Sequence, residues 1–471
     1  MAEEYTYPPM CYDKDGNPRF KSIMTPSTDT RRAKCAVPPT KIIPVILVPG
    51  FMGSNLRVIK GVNPIIKAET IFWQPDNLGV LNELTKLDGS KRQQVFDPAN
   101  TQVASSGPNS LGNALFTPFQ ADDRYNSTIL TDEVRTNWKG EYARRGWDTV
   151  HQDSYIRLLA HLEYHLNRFY RGKEHALRWR ELLRYQGGKD WGTLKGFAEL
   201  NTGHLDKAAK FWYPVHAAGY NWLQSTRQSG LDLAARIKAI IGHYAQIGYA
   251  CRQAILVTHS QGALVARAAC HPQIGAAQNQ VLGIVQGEAP LLGAPAVYKR
   301  MRAGHESLPG AISWLVGNTQ AEILGKSAAE MTPVLANSPG ALELLPTQFY
   351  VPGWLRIDAM GGQPAQQFPK INPYREIYAE RTAWWRLVKE ELLDQGGATS
   401  QQQSTGSGGS PSWNHYMRQL DSAEKLHRAV DLYHHPRSVH RRGVSAGEGV
   451  SVGGCGYYDG VRRLSGRAHR F

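Results

Sequence analysis

At 471 residues the chain exceeds the usual single-domain size, yet 41% hydrophobic and 20% charged residues are ordinary for a globular protein with a large core. No apolar run approaches the roughly 18 residues that span a bilayer, and the acidic start MAEEYTYPPMCYDKDG lacks the basic-then-apolar layout of a signal peptide, which argues against an integral membrane or conventionally secreted protein. The net charge of +14, from 54 basic against 40 acidic residues, suggests affinity for a polyanionic surface, but no nucleic-acid motif accompanies it.

Residues 1–40 carry Pro, Lys, Asp and Thr without periodicity and read as an irregular N-terminal arm. Its Cys11 and Cys35, with Cys251, Cys270 and Cys455, show neither a disulfide framework nor zinc spacing, as expected of reduced thiols in a cytosol-made chain. A domain from 41 to 440 follows. KIIPVILVPGFMGSNL (41–56) is a buried-strand run, Val45 to Val48, that leaves through Pro49-Gly50 and Gly53-Ser54. Residues 60–145 read as an insertion over the core. SYIRLLAHLEYHLNRFY (154–170) is amphipathic at helical spacing, with Ile156, Leu159, Leu162 and Leu166 on one side. A second insertion covers about 166–210, and YPVHAAGYNWL (213–223) returns to a strand and its C-terminal loop.

The spacing then predicts a helix over GLDLAARIKAIIGHYAQIG with Gly248 as its stop, and a strand, corner and helix in AILVTHSQGALVARAAC (254–270). VLGIVQGEAPLLGAPAVYKRM (281–301) is another short strand leaving through a Gly/Pro loop. A third insertion spans 303–350. GWLRIDAMGG (353–362) is a short strand candidate, NPYREIYAERTAWWRLVKEELLD (372–394) reads as helix, and 395–412 is flexible and low in complexity. A helix through MRQLDSAEKLHRAVDLYHHP follows, then a Gly/Arg-rich tail at 441–471. Alternating strands and helices predict an α/β fold, a mostly parallel central sheet flanked by helices.

The corner carries the chemistry. A nucleophilic serine on a strained strand-to-helix turn needs small neighbours, hence the pattern G-x-S-x-G. Here Thr258-His259-Ser260-Gln261-Gly262 keeps the second glycine and puts Thr258, with extra bulk, where strand and helix backbones are expected to pack closely. Ser260 could instead be a plain helix cap, but an apolar strand before it and the small residues Ala263, Ala266, Ala268 and Ala269 after it fit the corner better. Acyl transfer also needs donors aimed at the developing oxyanion. The amide of Gln261 is one candidate, and the amide of Phe51, in the loop after the early strand, is the other. His259 points elsewhere and is read as packing against neighbouring loops.

PVILVPGFMGSNL, AAGYNWL and AILVTHSQG, in that order, resemble the lecithin:cholesterol acyltransferase-like branch of α/β hydrolases. EAPLLGAPAVYKR and TPVLANSPGALELLP look like bacterial lipases of the type VI secretion effector (Tle) group. The resemblance implies an α/β-hydrolase fold with cap or lid insertions. It implies hydrolysis of lipid acyl esters, those of phospholipids first, without a cofactor. It further implies an antagonistic effector that meets a phospholipid membrane surface, an immunity protein and secretion-apparatus proteins. Such a chain would be made in the bacterial cytoplasm and exported to the target cell's periplasm or membrane. An acyltransferase of the same fold, or an inactive hydrolase-fold binding protein, are the alternatives.

In these hydrolases the acid and base follow the serine. Asp358 ends the strand-like WLRI, although a turn-forming Asp in a hairpin would look the same, and Glu288 and Asp431 are fallbacks. For the base, Pro436 would end the last helix and leave His435 at a loop start. His434, His427 and His440 are the other choices, and the cluster matches no familiar zinc site. Trp73, Leu78, Leu81, Trp314 and Leu315 are candidates for an apolar rim facing lipid, or for plain core.

Overall fold

The computed structural model describes residues 39–62, 66–74, 84, 86–107, 140–171, 173–184, 200–304, 325–359, 364–395 and 410–432, with short strands at 5–6, 10–12, 18–20, 32–33 and 451–453. The central strands are β1 (Val45–Val48), β2 (Val215–Ala217), β3 (Ala254–His259) and β4 (Val281–Gly287). All four run parallel in the order β2-β1-β3-β4, and an antiparallel strand at Ser451–Gly453 flanks β4. The shorter strands Lys41–Ile42, Phe211–Trp212 and Ala250–Cys251 repeat the order of β1, β2 and β3 just upstream. Pro44 and Pro214 stand in the gaps, where a residue without an N–H interrupts the ladder, although their carbonyls still accept from Ile255 and Val45.

Burial on both faces explains the apolar run of β1. Ile46 and Val48 share a cluster with Leu233 and Ile237 of helix α2 (Thr226–Gln246) and Val265 of α3 (Gly262–Cys270). Val45 and Leu47 share the opposite cluster with Tyr155, Ile156 and Leu159 of α1 (Gln152–Leu166). Each such side chain contributes about 1.5–3 kcal/mol. All nine residues of α3 are buried. Their small size lets α2 cross close by, for a Cβ on Gly230 would lie 2.6 Å from the Ala268 Cβ. Gly248, at φ 90°, ends α2 as its sequence predicts.

Downstream lie α4 (Pro295–Ala303), α5 (Ala328–Leu335), an antiparallel hairpin of Leu355–Ile357 with Gln366–Phe368, and α6 (Pro411–Leu432). The helix expected over 372–394 does not form. Only a short π-turn at Tyr374–Tyr378 and a 3₁₀ turn at Glu390–Leu392 appear there. Glu380 captures the amides of Thr382 and Ala383, and the Tyr416 hydroxyl takes the Tyr378 carbonyl at 2.9 Å, so a continuing helix has lost both donors and acceptor. No helix among the described residues is long and apolar enough to cross a membrane.

Candidate active site

β3 ends at His259 and α3 begins at Gly262, so two residues must reverse the chain. Ser260 does so at φ 50°, a left-handed conformation that costs a non-glycine residue on the order of 1–2 kcal/mol. The fold holds it there. Its N–H donates to the Gly287 carbonyl at 2.9 Å, and its carbonyl accepts from Ala263 at 3.0 Å. The next side chain, Gln261, is buried, donating to the Gly340 carbonyl at 2.8 Å and accepting from the Tyr220 hydroxyl at 3.1 Å. The close approach expected at Thr258 occurs at Gly262 instead. A Cβ on Gly262 would lie 2.5 Å from the carbonyl oxygens of Val48 and Pro49. Thr258 is accommodated within the sheet, its Oγ1 donating to the Val285 carbonyl at 3.3 Å.

The loop after β1 wraps the same corner. Gly53 N–H donates to the Gly50 carbonyl at 3.0 Å, and Met52 adopts φ 63°. Trp73, a candidate for a lipid-facing rim, is core. It is fully buried, edge-on to Trp222 and Phe96, and its Nε1 donates to the Met52 carbonyl at 2.9 Å. A Cβ on Gly50 would lie 2.9 Å from His259 Nδ1 and 3.1 Å from the Ser260 Cβ, so loop and corner touch. Among the described residues, the N–H groups of Phe51 and Gln261 donate to nothing and the Ser260 hydroxyl has no hydrogen-bond partner. Gln261 lies at the amino end of α3, where the helix dipole favours negative charge.

Ser260 opens into a cavity of about 220 Å³. Phe51, Met52, Val297, Met331, Leu335 and Leu344 make its lining apolar, and Arg300 adds one cation.

Polar groups flank the corner. The Tyr155 hydroxyl, from α1, accepts the Gly50 N–H at 2.9 Å and lies 2.7 Å from His259 Nδ1. His259 Nε2 is 3.3 Å from Glu288 Oε2, an exposed carboxylate at the end of β4 whose residue has φ 50°. Three neighbouring strands thus each end near a left-handed, non-glycine residue: Met52, Ser260 and Glu288.

Asp358 is exposed directly after the strand Leu355–Ile357, outside the central sheet, and has no partner among the described residues. The strand before it pairs with Gln366–Phe368 and not with the central sheet. His427 is buried with both ring nitrogens engaged, by the Tyr374 hydroxyl and, at 2.6 Å, by the Glu343 carbonyl; burial pushes its pKa down to about 4. It does not meet Ser260. His434, His435, His440, Leu78, Leu81, Trp314, Leu315 and the Asp431 side chain lie outside the described residues. α6 nevertheless ends beside the corner helix. Arg267 of α3 donates to the Val430 carbonyl at 2.7 Å, and Leu426 and Val430 pack with Ala263 and Leu264. No group of three or more His, Cys, Asp or Glu among the described residues could hold a metal ion.

Tyr155 and the Gln261 side chain were not legible as site residues. Tyr155 sits on the apolar face of a helix pattern, and its partner Gly50 lies 105 residues away.

No protein-family model matches the chain, and no curated protein matches it. Among solved structures it is similar to one in the crystal structure of the Tle4-Tli4 complex, at 27% identity and a TM-score of 0.61, over 83% of this chain and 72% of that one. The fold is the α/β-hydrolase fold, and the similarity is to the structure of the Tle4-Tli4 complex.

Proposed function

We propose that this protein is a serine lipase or phospholipase that cleaves acyl esters of membrane lipids. One observation carries the reading: Ser260 is held at φ 50° at the end of β3, with its hydroxyl open to an apolar cavity and the uncommitted amides of Phe51 and Gln261 alongside. A strained serine with nearby donors is what acyl transfer requires. The order of the PGFMG loop, AAGYNWL and THSQG, similar to lecithin:cholesterol acyltransferase-like enzymes, adds to it.

In the proposed reaction Ser260 Oγ attacks the ester carbonyl while His435 takes its proton. The Phe51 and Gln261 amides donate to the oxyanion, and His435 returns the proton to the departing alcohol. Water, activated the same way, then cleaves the acyl-enzyme. His435 as base is supported by the end of α6, since Arg267 ties Val430 to the corner helix a few residues upstream of it. Asp358 is the proposed acid because its exposed carboxylate is uncommitted among the described residues, whereas Glu288 is engaged by His259.

Tle4 was crystallised in a complex with Tli4. We therefore propose an antagonistic effector role with a Tli4-like protein as its immunity partner. Such an effector would be made in the bacterial cytoplasm, exported by a type VI apparatus, and act at the target cell's periplasmic membrane surface. The charge of +14 would favour docking on anionic lipid, by roughly 1 kcal/mol per basic residue near the surface.

The test is hydrolysis of a short-chain chromogenic ester and of phospholipid vesicles by wild type and Ser260→Ala. Loss of activity by orders of magnitude in the variant supports the reading. Folded wild-type protein inactive on both substrates overturns it and favours a binding protein of hydrolase fold. Acyl transfer to an added alcohol exceeding hydrolysis would make it an acyltransferase.

A further inference from the structure

The reaction proposed above needs two amides, from Phe51 and Gln261, that lie on separate segments more than two hundred residues apart in sequence. Something must fix their separation. Tyr155 is 6% exposed, and its hydroxyl sits between the two segments. It accepts the Gly50 N–H, one residue before Phe51, and meets Nδ1 of His259, one residue before Ser260. The loop is folded around this oxygen, for a Cβ on Gly53 would lie 2.9 Å from it and 2.9 Å from the Gly50 carbonyl.

The link between Tyr155 and His259 is directional. Nε2 of His259 faces the Glu288 carboxylate, which can only accept, so in the neutral ring Nε2 carries the proton and Nδ1 accepts the Tyr155 O–H. Burial raises the Tyr155 pKa, which keeps the hydroxyl protonated and able to donate.

We propose that Tyr155 is a positioning residue for ester hydrolysis: through its hydroxyl it ties the Gly50 amide to His259 and so sets the spacing of the two oxyanion donors. This rests on the serine-hydrolase reading of Ser260. Misplaced donors weaken transition-state stabilisation without altering ground-state binding.

The experiment compares Tyr155→Phe with wild type on the chromogenic ester, with active sites titrated by a fluorophosphonate. The expected result is a kcat per titrated site lower by roughly tenfold to a hundredfold, with KM within about twofold. His259→Phe, which breaks the same link while keeping Tyr155, is expected to lose as much, and the double variant no more than either single one. His259→Asn, whose Oδ1 can stand in for Nδ1 as acceptor, should recover most of the loss seen in His259→Phe. A purely structural role would lower the titratable fraction and melting temperature but leave kcat per site unchanged, and that outcome overturns the proposal. Wild-type protein that neither hydrolyses the ester nor is labelled at Ser260 overturns the hydrolase reading itself, and this proposal with it.

Discussion

Gly262 and Val48 approach so closely that a Cβ on the glycine would lie 2.5 Å from the valine carbonyl oxygen. The helix carrying the Gln261 amide is therefore seated directly on the strand that feeds the Phe51 loop. Gly262→Ala should push the two apart. We expect kcat to fall by about a hundredfold and stability by about 1–3 kcal/mol, read from ester hydrolysis and thermal melting. Gly242→Ala on α2, whose Cβ would meet nothing within 4 Å, should instead raise the melting temperature.

The left-handed Ser260 predicts a split between two inactive variants. Ser260→Ala removes the hydroxyl and keeps a Cβ at φ 50°, whereas Ser260→Gly removes the strain as well. The glycine variant should be the more stable by about 1 kcal/mol. Equal melting temperatures would show that the corner holds no strain to release.

Glu343 gives a pH test. Its Oε2 accepts the Thr226 N–H at 2.7 Å, and burial pushes its carboxyl up to about 8. The folded chain holds this proton where the unfolded chain has released it. Its stabilising contribution is complete below about 4.5 and lost as pH rises through 8. Glu343→Gln, a neutral isostere, should melt close to wild type at pH 5 and above it at pH 8.5. A constant difference between the two across that range would refute the assignment.

The histidines divide by environment. His435→Ala should cost about a thousandfold or more in kcat if it is the base. His427→Gln should leave kcat unchanged and alter acid stability instead. His427, neutral in the fold down to about 4, binds a proton in the unfolded chain near its ordinary value of 6.5, so wild-type stability falls as pH falls between them. The glutamine variant should flatten that decline in melts taken from pH 7 to pH 4.5.

Local pattern revealed the strands and the corner, because an apolar run such as Val45–Val48 needs burial on both faces and a helix of small residues follows Ser260; the close approach it placed at Thr258 falls at Gly262. It failed where a distant group decided the outcome. The Tyr416 hydroxyl and the Glu380 carboxylate undo the helix expected over 372–394, and neither competitor shows in the periodicity of that segment. Asp358 reads the same whether its strand joins the central sheet or a hairpin, since the choice lies with the strand that pairs to it. Helical spacing singles out Ile156, Leu159, Leu162 and Leu166 but not Tyr155, because a hydroxyl's partner has no sequence period.

The strand order β2-β1-β3-β4 has a consequence for synthesis. β1 and the Phe51 loop leave the ribosome long before β3, and β3 before the Gly287 carbonyl that holds the Ser260 amide. Such distant pairings close late, because the entropy of the intervening loop must be overcome first. A nascent or truncated chain ending before β4 therefore has a serine but no corner to strain it. A cell making this protein meets the complete site only after most of the chain has been translated and the sheet has zipped shut.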